Sequence, residues 1–221
     1  MSLRRSTERA GAACLPLACL VLLAGCSSPG PSVSGNAPAT PGAVERDDVP
    51  VPALSPAAQN LFDQAVWVMS SGDLTDAELR FEEFLLHYPE VAAAHVNLAI
   101  IHRRNGQLDA ARVAVDRALE LNPDFPPALN QLGLLLRQEG RFQEAESAYL
   151  KAITVSPDYA LAHYNLGVLN ELYLQRLDVA LKHFEQYQQL VGGDELVEKW
   201  ITDLTRRVEA EQQTANRAVE Q

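Results

Sequence analysis

The residues that most constrain this chain recur at a step of 34. Pro89, Pro123 and Pro157 keep that step, as do Gly72, Gly106 and Gly140, and Ala77, Ala111 and Ala145. Ala65, Ala99, Gly133 and Gly167 hold it over four units, and Leu98, Leu132 and Leu166 over three. A fixed step of this length marks one supersecondary unit repeated along the chain. Within the unit the apolar spacing is helical. Leu129, Leu132 and Leu136 stand at i, i+3 and i+7, which is one face of a helix. Gly140 follows, where a positive φ is cheap and a helix can end. Phe142, Ala145, Tyr149 and Ala152 give a second helix a matching face, and Pro157 halts it. Gly133 and Ala145 are small enough to let the two helices approach closely. One such pair cannot bury its apolar face alone, so neighbours must stack into a linear array. The expected fold is all-α, a solenoid of about four helix pairs.

This register resembles the tetratricopeptide repeat (TPR), over residues 58 to about 192, with the third unit agreeing best. The resemblance divides residues 58–193 into four units, 58–91, 92–125, 126–159 and 160–193. Unit four departs from the pattern. His163-Tyr164-Asn165-Leu166-Gly167 fits, but the turn reads Tyr173-Leu174-Gln175-Arg176 without a glycine, and Ala180, Phe184 and Tyr187 fall one residue late. One inserted residue in the turn accounts for both. Residues 194–208 predict a C-terminal capping helix, with Leu196, Val197, Trp200, Ile201, Leu204 and Val208 as its apolar stripe. Residues 209–221 have little left to bury and are expected to fray.

The N-terminus reads as an address. Arg4, Arg5 and Arg9 precede an apolar run from Cys14 to Ala24, the length of a signal-peptide core and too short to span a bilayer. Leu23-Ala24-Gly25-Cys26 resembles the lipobox of bacterial lipoproteins. That resemblance implies cleavage of residues 1–25, a lipidated Cys26, and, with Ser27 rather than Asp next, sorting to the outer membrane of a Gram-negative bacterium. Residues 26–57 carry seven prolines among Gly, Ser and Ala and read as a disordered tether. Cleavage would also remove Cys14 and Cys19, leaving no thiol for redox or nucleophilic chemistry. It removes three Arg and one Glu, taking the formal charge from −11 to −13.

A chain this acidic repels phosphate backbones, so nucleic acid is not an expected partner. There is no HExxH, no phosphate-binding glycine loop and no GxSxG. The histidines are scattered at helix-packing positions. No metal, no cofactor and no catalytic residue is therefore expected, and the chain is not read as an enzyme.

What remains is a binding surface. The TPR resemblance implies a concave wall built from the first helix of each unit. Carried over by register, its residues include Asn97, Arg103 and Arg104 in unit two, Asn130, Gln131 and Arg137 in unit three, and Tyr164 and Asn165 in unit four. Asn97, Gln131 and Asn165 share one position, where a ladder of amides could bond a peptide backbone. Arg103, Arg104 and Arg137 form a basic cluster suited to carboxylates, although a helix C-terminus favours cations in any case. The expected function is a periplasmic protein–protein adaptor whose groove takes a peptide or protein and whose only membrane contact is the lipid anchor. It resembles the TPR lipoproteins of pilus and secretin assembly. The alternatives are an adaptor for a periplasmic protease or cell-wall hydrolase, and a homodimeric scaffold.

Overall fold

The computed structural model describes residues 54–219, so the expected signal peptide, Cys26 and the tether up to residue 53 lie outside the described residues. Among the described residues nine helices follow one another without a strand: α1 (Pro56–Ser71), α2 (Leu74–His87), α3 (Ala92–Arg104), α4 (Leu108–Leu121), α5 (Pro126–Gln138), α6 (Phe142–Val155), α7 (Ala160–Leu172), α8 (Leu177–Val191) and α9 (Glu195–Val219). Helices α1 to α8 form four antiparallel pairs. Each odd-numbered helix is the A helix of its pair and each even-numbered one the B helix, and every helix packs on the next in the chain.

Local sequence sets the boundaries. Gly106 and Gly140 adopt φ of +76° and +77°. After α5 the Gly140 N–H donates to the Arg137 carbonyl at 3.1 Å and the Arg141 N–H to the Leu136 carbonyl at 2.9 Å, the paired bonds of a Schellman motif. Unit four has no glycine here, and Gln175 takes the left-handed conformation instead, with φ +54°. Its closing bond runs from the Arg176 N–H to the Asn170 carbonyl, 2.9 Å. That loop is one residue longer than the Arg141–Leu136 loop, which is the insertion read from the sequence. The B helices end at His87, Leu121 and Val155, two residues before the recurring prolines that cannot continue them.

The first helix starts earlier than the sequence suggests. The tether was expected to reach residue 57, yet α1 begins at Pro56, and Ser55 Oγ accepts the Ala58 N–H at 3.2 Å. Pro56 reads as a breaker, but in a first turn its missing N–H costs nothing.

Each pair closes over small residues. A Cβ at Gly167 would lie 2.7 Å from Phe184 Cδ1, and one at Gly133 would collide with the Tyr149 ring. The aromatic ring of the B helix therefore lies directly on the A-helix backbone. Consecutive units are tied by histidines at equivalent positions. His95 Nε2 donates to the Pro89 carbonyl at 2.9 Å and His163 Nε2 to the Pro157 carbonyl at 3.1 Å.

Helix α9 closes the C-terminal end. Asp194 Oδ1 accepts the Leu196 and Val197 N–H groups at 2.9 and 3.2 Å, capping the helix. Val197 and Leu204 are fully buried, with Trp200, Ile201 and Val208 packed around Phe184 and Tyr187. Leu196, assigned to the stripe from sequence, is exposed. The fraying expected from residue 209 is also corrected, because α9 runs unbroken to Val219. Extending a helix from a docked stretch costs far less than nucleating one, and Glu209, Ala210, Glu211, Gln212 and Gln213 are good helix formers.

Candidate functional site on the A-helix wall

The A helices have two distinct sides. His95, Leu98 and His102 of α3 turn toward the B helices and line a furrow with Leu86 and Val113. Leu129, Leu132 and Leu136 of α5 do the same one unit later. At 100° per residue, Asn97, Ile100 and Arg104 point to the opposite wall.

The structure separates the expected groove residues into two sets. Asn130 and Tyr164 share one register position with Val96, and that position lies in the seam with the following A helix. Val96 packs with Ala118 and Ala128. Asn130 is buried, and its Oδ1 accepts Asn165 Nδ2 at 2.8 Å. Tyr164 packs on Phe184, Tyr187 and Trp200, the last from α9. The row Asn97, Gln131 and Asn165 therefore does not stand as one open ladder. Asn165 is committed to Asn130, and the buried Gln131 accepts Arg103 Nε at 3.2 Å. Asn97 is half-buried and makes no such bond among the described residues. A buried amide must be paired within the fold, and this requirement outweighs presentation to a ligand at Asn130 and Asn165.

Arg103, Arg104 and Arg137 do come together. Burial lowers the Arg103 pKa, and the charges of Arg104 and Arg137 lower it further, as expected where positive charge lacks a counter-charge. Arg137 sits 5.9 Å over the ring of Tyr173, which packs on Phe142 at 4.7 Å. The cation is thereby held on a cushion of two rings. Arg137 Nη1 is buried without a hydrogen-bond partner, and so is the hydroxyl of Tyr149. Burial pushes that phenol up to about 12, against the pull of Arg137 and Arg103.

Among the described residues, Arg80, Arg112, Arg117, Arg141, Arg176, Arg206 and Arg207 each pair with a carboxylate. Arg103, Arg104 and Arg137 do not. Unit four places Glu171 at the register position of Arg103 and Arg137, and Glu171 is bound by Arg207 of α9 at 2.9 Å.

Tyr149 was read from sequence only as core. The signal that singles it out is its file: Phe81, Val115, Tyr149 and Phe184 occupy equivalent places in the four B helices, and only Tyr149 carries a hydroxyl. A second unforeseen contact joins α7 and α8, where His163 Nδ1 lies 3.2 Å from His183 Nδ1. No group of three metal-ligating side chains forms among the described residues, and none of their helices is long and apolar enough to cross a membrane.

This geometry agrees with known repeats. A family profile described as TPR repeat matches residues 133–172, and two described as tetratricopeptide repeat match residues 68–126 and 114–147. The fold is a tetratricopeptide-repeat solenoid. Among solved structures, Pseudomonas aeruginosa PilF is 22% identical with a TM-score of 0.62, the match covering 70% of this chain and 70% of that one. MamA is 26% identical with a TM-score of 0.51, over 61% of this chain and 78% of that one. A mutant of Thermobaculum terrenum O-GlcNAc transferase is 22% identical with a TM-score of 0.55, over 60% of this chain but 26% of the enzyme, so most of that enzyme lies outside the likeness. No curated protein matches the chain by sequence. The arginine cluster lies on the A helices α3 and α5.

Proposed function

We propose that this chain is a non-catalytic adaptor, anchored through a lipidated Cys26 to the outer membrane of a Gram-negative bacterium, which holds a protein or peptide partner on the concave wall of a periplasmic TPR solenoid. One observation carries the reading. In units two and three the A helices present three arginines without carboxylate partners, while in unit four the corresponding place holds Glu171, which Arg207 of α9 neutralises. A partly buried, unneutralised cation cluster destabilises a fold unless something outside it supplies the counter-charge. The process we propose is assembly of a pilus, secretin or similar envelope complex, in keeping with the sequence resemblance. An adaptor for a periplasmic protease or cell-wall hydrolase would use the same wall.

The two walls can be told apart by capture of the partner from envelope extracts on the anchored full chain. Asn97→Trp, which fills the concave wall, should remove the captured partner, and Val113→Asp on the B-helix side should leave it. The opposite pattern contradicts the reading. Cys26→Ser should release the chain from the membrane fraction, and continued sedimentation with membranes would refute the anchor.

A second reading, the homodimeric scaffold, is favoured by the B-helix side itself. Leu86 and Val113 are 81% and 70% exposed in one furrow, more apolar surface than an isolated side chain needs to leave in water. Light scattering at micromolar concentration tests it. A dimer that Val113→Asp dissociates supports the scaffold, and a monomer removes it.

A further inference from the structure

Two histidines that stand 20 residues apart in the sequence meet where α7 packs on α8, and the packing of a repeat does not call for both. His163 lies in the first turn of α7 and is buried. His183 comes from α8. Allowing for the residue inserted in the unit-four turn, it holds the place of Ala114 and Ala148, which are buried in units two and three. A methyl group is therefore enough to close a helix pair there. The A-helix position of His163 is taken by His95 in unit two and Leu129 in unit three. Of these three units only unit four sets an imidazole on both sides.

The bonds around the pair fix which nitrogens carry protons. A carbonyl oxygen can only accept, so His163 Nε2, 3.1 Å from the Pro157 carbonyl, carries the proton there. In the neutral ring Nδ1 then holds a lone pair. That lone pair faces His183 Nδ1, which donates to it at 3.2 Å. A histidine that gives one ring N–H to a backbone carbonyl and leaves the other nitrogen as a base is oriented as metal-ligating histidines are.

The spacing suits a shared ion. With Zn–N bonds of about 2.0–2.1 Å, two nitrogens 3.2 Å apart subtend roughly 100° at the metal, close to tetrahedral. The ring planes are inclined by 44° with centroids 5.4 Å apart, so the rings meet through their nitrogens and do not stack face to face. Burial, then the charge of His163, holds His183 down to about 4. Its ring is thus neutral at pH 7, the form that coordinates. Glu146 of α6 turns negative charge toward His183, and Lys182 opposes it. Arg176 holds Glu146 in place at 2.6 Å, whereas the Lys182 side chain is 74% exposed and solvent screens it. No third His, Cys, Asp or Glu joins the pair among the described residues, which leaves the other coordination positions to water.

We propose that His163 and His183 are the protein ligands of an open site for a divalent ion that prefers imidazole, with Zn²⁺ as its type. Binding moves the His183 proton from Nδ1 to Nε2 and puts the ion in place of the hydrogen bond between the rings. The ion clips α7 to α8, and through the Pro157 carbonyl it steadies the loop between units three and four. Mg²⁺ and Ca²⁺ seek oxygen ligands and do not suit it. The site uses none of the arginines of α3 and α5, and it stands whether or not their wall binds a partner.

The test is a titration of the full chain with ZnCl₂ at pH 7, in detergent, untagged, and with its cysteines alkylated so that no thiol competes. Calorimetry reads the stoichiometry, and nitrogen NMR reads the imidazoles. One Zn²⁺ should bind per chain, saturably, and the melting temperature should rise with its concentration. The Nδ1 resonances of His163 and His183 should move together, while the rings of His87, His95 and His102 stay unchanged. A large excess of Mg²⁺ should not displace the ion. His183→Ala supplies the residue of units two and three, and should weaken binding by about 100-fold or more, beyond the roughly 10–100-fold lost with a ligand's hydrogen-bond partner. His95→Gln should bind as the wild type does. Wild-type affinity in His183→Ala, shifts of the other imidazoles in place of these two, or displacement by Mg²⁺ would overturn the site. So would the absence of saturable binding at micromolar Zn²⁺. The wild-type NMR titration decides the question even if His183→Ala fails to fold.

Discussion

Units three and four share one register and put it to opposite uses. In unit three, Arg137 stands on the A-helix wall above Tyr149, and neither its Nη1 nor the phenol has a partner. In unit four, Glu171 and Phe184 hold the corresponding places. Glu171 is bound by Arg207, and Phe184 packs on Trp200 with ring centroids 5.6 Å apart. In unit four the charge is neutralised and the aromatic ring covered, both by α9, and the one buried polar atom without a partner there among the described residues is Asn170 Oδ1. Unit three is complete in packing but open in charge and hydrogen bonding. A solenoid must cover its terminal unit to stay soluble, and it can leave an interior unit's wall free for a ligand. The contrast is what the proposed binding site rests on.

The largest test of this comparison is of what the two units have in common. Gly133→Ala and Gly167→Ala each force a methyl into an aromatic ring lying on the backbone, and overpacking of this kind costs about 1–3 kcal/mol. Both should lower the denaturation midpoint by similar amounts. A tolerated Gly133→Ala would show that the Tyr149 ring does not lie where the site requires it.

The reciprocal exchange of rings probes the difference. Phe184→Tyr places a hydroxyl in the covered pocket and should cost about 1–2 kcal/mol if no partner is found. Tyr149→Phe removes an unsatisfied hydroxyl and should leave stability unchanged or raised. Denaturant titration of both variants checks this, and destabilisation by Tyr149→Phe would mean that its hydroxyl is already bonded within the fold.

Acid should affect unit four before unit three. Burial, then the His163 charge, holds folded His183 down to about 4, with Lys182 acting in the same direction and Glu146 opposing it. The ordinary value is 6.5, so on acidification the unfolded chain takes up this proton first. Stability should therefore fall as pH drops from about 6.5 to about 4, by about 1 kcal/mol after allowance for partial exposure, and level off below that. A melting curve series for the wild type and His183→Gln reads it, and the variant should have the flatter profile over that window.

The smallest effect belongs to the pair that closes unit four. Arg207 and Glu171 are partly exposed, so Arg207→Ala should cost less than about 1 kcal/mol. Its consequence for charge is larger, since it leaves Glu171 unneutralised. A stability loss well beyond that bound would show that the pair holds α9 in place rather than merely balancing Glu171.

Much of the fold was legible in the sequence because it depends on residues that permit only one local geometry. Gly106 and Gly140 mark left-handed turns, the recurring prolines mark helix ends, and the extra residue before Leu177 appears in the structure as a longer turn closed by Gln175. Less of the site was legible. Register alone placed Asn130 and Tyr164 on the open wall, but it could not say which edge of the A helix the next unit covers. Asn165 was read as a free amide, and only the structure supplies Asn130 as its partner. Tyr149 escaped notice because an aromatic residue on a B helix has an adequate explanation in packing. Its hydroxyl acquires meaning only when its neighbours are known and none of them bonds it. Pro56 misled in the other direction, as the same residue that ends a helix also starts one.

The central claim is that the concave wall of units two and three binds the partner through its uncompensated arginines. The most direct measurement is partner capture by the anchored chain carrying Arg103→Glu and Arg137→Glu, with the melting temperature recorded on the same preparation. The account predicts that capture is lost while the melting temperature holds or rises, because mutual repulsion with Arg104 is relieved. Capture at the wild-type level by a folded double variant would contradict it.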